Sequence, residues 1–291
     1  MNRKPPEAFI LSRRKSDLDR VENEFPDYLK LQSICWLLRL GAPSTEGVIF
    51  TESSAAAVDA AIDFAHARGW KHFMVRHDER RGQAKSLQGG FLIELDQISH
   101  CLKRFTQSGI CMLLEPLDPI LNGYNVSCLV ETLSTSLEIA GPGFDASDLQ
   151  RGQTIPHERR SWELISDQSD LVIEGSEERY VEALAERYYK IWWKFIAREP
   201  DAARWTELGE TEIEAARRFV LSKRGSLLPE KYIPMPASVW QRYKRLAKPI
   251  LLAWCATGVK GPAVLAGSFV QDGSFRFWDV SLPARWLSDP G

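Results

Sequence analysis

The chain has 291 residues, 44% of them hydrophobic and 26% charged, which excludes a disordered or fibrous protein and allows either one large core or two lobes. With 37 basic and 39 acidic residues the formal net charge is -2, so no global field draws the chain to nucleic acid or to an anionic membrane, and neither is an expected partner. The five cysteines are scattered without paired spacing, and neither a signal-like stretch nor a long apolar run is present, so a reduced, cytoplasmic protein without a disulfide framework or structural zinc is expected.

Residues 1–30 are rich in charge and proline, and 31–40 (LQSICWLLRL) read as a short helix stopped by Gly41-Ala42-Pro43. Residues 47–50 predict a strand. Ser53-Ser54 can then cap a helix whose apolar positions Val58, Ala61, Ile62 and Ala65 run to a stop at Gly69. Residues 71–76 read as extended. Residues 82–90 (GQAKSLQGG) carry three glycines and small polar side chains and predict a mobile loop. A helix over 96–108 is followed by a buried strand over 110–115 and, after a turn, by another strand over 124–131.

From 141 to 170 the composition turns to Gly, Pro, Asp, Ser and Gln and reads as a long connection. Residues 177–198 carry the clearest helical stripe, Val181, Leu184, Ala185, Tyr188, Trp192 and Phe195, and further helices are expected over 211–223 and 237–257, the last kinked or broken at Pro249. Residues 263–270 and 274–280, joined around Asp272-Gly273, give a strong hairpin signal. Period-2 alternation in its second strand puts Phe277, Asp279 and Ser281 on one face and Trp278 and Val280 on the other.

The stretches GAPSTEGV (41–48), MVRHD (74–78) and SLQGG (86–90) are similar to the nucleotide-binding part of phosphoenolpyruvate synthase and pyruvate phosphate dikinase, where a VRSS-type motif and a serine- and glycine-bearing loop grip phosphate. LLEPL (113–117) followed by GYNVS (123–127) looks like the hinge and next strand of the wider ATP-grasp superfamily, and the late hairpin looks like its metal-bearing element. The resemblance covers about 40–140 and 260–286 of the sequence. It implies an α+β, two-lobed fold with antiparallel sheets and an additional helical segment: an N-terminal helical piece over 1–45, one lobe over 46–140, and a second over 141–291 with a helical insertion and the terminal hairpin.

It further implies ATP and Mg²⁺ as cofactors and an ATP-dependent ligase joining a carboxylate to an amine, or a phosphotransferase. Arg76, Asp279 and Arg285 are the expected catalytic residues, with Asp279 also the metal ligand. Lys71, Arg76, Lys85, Ser86, Gly89, Gly90, Glu115 and Leu117 are the expected nucleotide contacts. Arg76 suits bidentate phosphate contact, and the alternative is a surface pair with Asp78 or Glu79. Besides the nucleotide, a small-molecule or peptide substrate is implied. Most members carry a preceding domain where about forty residues stand here, and a partner protein could supply that surface. The chain departs from the pattern at Ser268 and Ser281, where an acid and an amide are usual; this keeps open a non-catalytic relative that binds a nucleotide or a protein through a degenerate metal site.

Overall fold

The computed structural model describes residues 8–80, 91–116, 124–141, 157–173, 214–215, 217–218, 221, 232–257, 263–269 and 274–281. The fold is α+β, with two antiparallel sheets. The first has the order β1-β2-β5-β3-β4, from β1 (Ala8–Leu11), β2 (Gly47–Phe50), β3 (His72–Glu79), β4 (Phe91–Glu94) and β5 (Gly109–Leu114). β2 and β3 both run antiparallel to β5, which lies between them.

Alternation along these strands explains the layers. Ile49, Met74 and Met112 face α1 (Lys15–Glu24) and α2 (Leu29–Arg39), whereas Val48, Phe50, Val75 and Leu113 face α3 (Ala55–Arg68) and α4 (Ile98–Phe105). The local signals for α3 hold: the Ser54 hydroxyl accepts from the Ala57 amide at 3.2 Å, and Gly69 ends the helix at φ 67°, a conformation glycine adopts without strain.

The second sheet has the order β11-β10-β6-β7-β8-β9, from β6 (Asn125–Glu131), β7 (Ser134–Ala140), β8 (Glu158–Glu163), β9 (Ser169–Ile173), β10 (Ala263–Phe269) and β11 (Phe275–Ser281). One face packs on α5 (Ala237–Ala256) through Trp240, Tyr243, Ala247, Ile250, Leu251 and Trp254. α5 is continuous through Pro249 rather than broken. Pro249 is exposed, so the Arg245 carbonyl that loses its helical donor can turn to water.

Two other expectations are corrected. The connection read over 141–170 in fact holds the strand 158–163 and the start of the strand 169–173. β1 lies in the charged, proline-rich start of the chain. The expected helix over 177–198 lies outside the described residues. No described helix is long and apolar enough to cross a membrane.

The two sheets meet along α2 and β11. Leu31, Ile34, Cys35 and Leu38 of α2 join the first core while Leu37 joins the second; on β11, Trp278 joins the first while Phe275, Phe277 and Val280 join the second. This corrects the period-2 reading of β11. The pairing with β10 slips between Ala266 and Gly267, so Phe277 and Val280 face the same core, and Asp279 is freed to turn toward the first sheet. Gly267 makes the bulge possible, since a Cβ there would stand 2.3 Å from the Phe275 ring.

Candidate functional site at the seam of the sheets

Arg76 lies in the middle of β3, opposite Met112, on the face that carries α2 and β11. Its Nη1 donates to the Trp278 carbonyl oxygen at 2.5 Å, and its Nη2 stands 3.8 Å from Asp279 Oδ2. The other Asp279 oxygen, Oδ1, accepts from the Ser33 hydroxyl at 2.9 Å, and the same hydroxyl accepts from the Val280 amide at 2.6 Å. Arg76 therefore pairs with neither Asp78 nor Glu79; its partner comes from the far end of the sequence. Asp78 instead turns to the start of α2, where it accepts from the Leu31 amide at 3.0 Å, and burial pushes its carboxyl up to about 6.

Glu115 follows β5, and its amide donates to the Glu46 carbonyl at 2.9 Å. Its carboxylate is 3.8 Å from Arg276 Nη2. Arg276, Ser268 and Asn125 are register partners across β11, β10 and β6 and form one polar row. Within it, the Ser268 hydroxyl donates to Asn125 Oδ1 and accepts from Trp278 Nε1 at 2.7 Å. Among the described residues, Arg276 Nε and Asn125 Nδ2 are buried without a hydrogen-bond partner.

The structure thus brings Arg76, Asp279 and Glu115 to β11. It does not bring Lys71 to Arg76: Lys71 is exposed before β3 begins, roughly 16 Å along the strand at about 3.3 Å per residue. Lys85, Ser86, Gly89, Gly90, Leu117 and Arg285 lie outside the described residues. Sequence reasoning missed Ser33 and Arg276. For Ser33 a signal existed, as the one hydroxyl in the mostly apolar run over 31–40.

The two implied cofactors fare differently. The orphaned donors of Arg276 and Asn125, each worth about 1–3 kcal/mol when left unmade, suit a ligand rich in acceptors such as a nucleotide. A metal ion does not fit the described residues. Both Asp279 oxygens are engaged within the chain, Ser268 is tied to Asn125 and Trp278, and among the described residues no three His, Cys, Asp or Glu side chains gather in a way that could hold a metal.

No protein-family model matches the chain, and no characterised protein matches it by sequence. Among solved structures it is similar to D-alanyl-alanine synthetase A from Vibrio cholerae, with 11% identity and a TM-score of 0.42 over 89% of this chain and 56% of that one. It is also similar to N5-carboxyaminoimidazole synthase from Aspergillus clavatus in complex with ADP and 5-aminoimidazole ribonucleotide, with 9% identity and a TM-score of 0.40 over 92% and 50%. A third is a D-cycloserine synthetase, with 11% identity and a TM-score of 0.37 over 92% and 69%. The chain spans about half the length of the first two. These are likenesses in the course of the backbone, and the site is read from this chain's own residues.

Proposed function

We propose that the chain binds ATP between its two sheets and works as an ATP-dependent ligase of ATP-grasp type, joining a carboxylate of a small molecule or peptide to an amine; phosphoryl transfer is the neighbouring chemistry. The observation that carries this reading is the convergence of Arg76 and Glu115, which sit on different strands of the first sheet, on β11 of the second.

Arg76 keeps N–H groups beyond the one given to Trp278 and would hold phosphate oxygens. Glu115 would meet the adenosine, together with Leu117. Lys85, Ser86, Gly89 and Gly90 would contact the phosphates, and Arg285 would join them. Residues 46–140 would form the lobe carrying the phosphate-binding side, and 141–291 the lobe carrying Asp279. Bound ATP would supply the phosphoryl group that activates a carboxylate. The chain's own share is positioning, charge neutralisation and exclusion of water, with no protein nucleophile.

Arg76→Gln removes the charge while keeping a polar side chain. Because a charge-assisted hydrogen bond contributes about 1.5–3 kcal/mol, ATP should bind the variant at least tenfold more weakly in a calorimetric titration, with an unchanged far-ultraviolet spectrum. Equal affinities would remove Arg76 from the site.

A further inference from the structure

The place of Asp279 in the hairpin suggests a metal ligand, but its surroundings are those of a counter-ion. One carboxylate oxygen takes the hydroxyl of Ser33, a fully buried side chain from a helix outside the stretches that resemble the family. The other faces the Arg76 guanidinium at 3.8 Å, with the two side chains only 12% and 21% exposed, so the pair is shielded from most solvent screening. Ser33 is itself fixed, because its oxygen also accepts from the Val280 amide. Asp78, the other acid near Arg76, is turned to the α2 backbone.

We propose that Asp279 is the built-in counter-ion of Arg76, held in place by Ser33, and that an incoming phosphate competes with it for the guanidinium. Ser33 is then a positioning residue acting through Asp279. The proposal rests on the reading of Arg76 as a phosphate contact, and it reverses the sign expected for Asp279: a metal ligand helps ATP bind, whereas a counter-ion opposes it. Removing one negative charge a few ångströms from the phosphate should strengthen binding roughly three- to tenfold at a partly screened site.

The test uses the whole chain and two probes, ATP and inorganic tripolyphosphate, titrated calorimetrically with Mg²⁺ and with EDTA. Asp279→Asn keeps the shape and the bond from Ser33 and loses only the charge. It should tighten both probes three- to tenfold, with or without Mg²⁺. Ser33→Ala should tighten binding in the wild-type background and add nothing in the Asp279→Asn background, a non-additivity that a general loosening of the fold would not give. Weaker ATP binding by Asp279→Asn in Mg²⁺ alone would overturn the proposal in favour of a metal ligand. Tripolyphosphate that tightens as expected while ATP binds no better than tripolyphosphate would uphold the counter-ion and sink the nucleotide reading. No binding of either probe to any variant would overturn both.

Discussion

Arg160→Ala should lower the unfolding free energy by about 3–5 kcal/mol, because it would leave Glu158 as an unpaired carboxylate with no solvent exposure. Arg160 Nε donates to Glu158 Oε1 at 3.1 Å, and its guanidinium lies 4.9 Å above the Trp240 ring. The pair also grips the chain entering α5: Glu158 Oε2 accepts from the Met235 amide and Arg160 Nη2 donates to the Met235 carbonyl, both at 3.1 Å. The Tyr124 hydroxyl holds the preceding carbonyls of Ile233 and Pro234 at 2.9 and 3.2 Å.

Losing Arg160 thus strands an acid and unpins α5 from β8. Replacing both charges with apolar side chains of similar volume should cost far less, since a buried pair gains little over well-packed hydrophobic residues. Denaturant titration of Arg160→Ala against the double replacement measures this. A cost below about 1 kcal/mol for the single change would mean that Glu158 finds water or another cation.

The second large effect is one of pH. Asp78 has a folded pKa of about 6 against an ordinary value of 3.8, chiefly because burial disfavours its charge. The native state therefore holds this proton more tightly than the unfolded chain does. Its contribution to stability is most favourable below about pH 4, declines as pH rises through the interval up to about 6, and is fully lost above that. The shift of about two units corresponds to roughly 3 kcal/mol.

His157 acts in the opposite sense. Burial lowers its pKa from 6.5 to about 4, so its stabilising share is present above pH 6.5 and is lost as pH falls toward 4. The two nearly cancel in the wild type, and a flat pH profile would conceal both. Asp78→Asn separates them: its stability relative to wild type should rise by about 3 kcal/mol between pH 4 and pH 7.5, whatever constant offset the amide introduces. A difference that stays constant over that interval would show that Asp78 ionises normally.

Much of the first sheet was legible because its signals are local. β2 and β5 are short apolar runs between breakers, and Ser54 and Gly69 mark α3 by capping chemistry that needs no partner element. β8 was illegible for a specific reason. Its alternation is present, but with charge inside: Glu158, Arg160 and Trp162 face α5 while Arg159, Ser161 and Glu163 face solvent. A pattern search weighted by hydrophobicity sees a polar loop there, and only the pairing of Glu158 with Arg160 makes the inward charges tolerable.

The site was legible in part for a related reason. Arg76, Glu115 and Asp279 stand at strand positions that a motif can mark. Which of them touch depends on α2, on the bulge at Trp278 and on contacts spanning about two hundred residues of chain, none of which leaves a local trace. The alternative pairing of Arg76 with Asp78 or Glu79 weighed neighbours in sequence, whereas the fold and the bulge bring β11 closer.

The most direct test of the account is the thermal unfolding of the wild-type chain with and without saturating ATP, since a ligand that binds only the native state raises its apparent stability by about 2.7 kcal/mol at a hundredfold excess over Kd. The account predicts a rise in the midpoint of several degrees that Arg76→Gln cuts by about half or more. An unchanged midpoint at saturating ATP would contradict it.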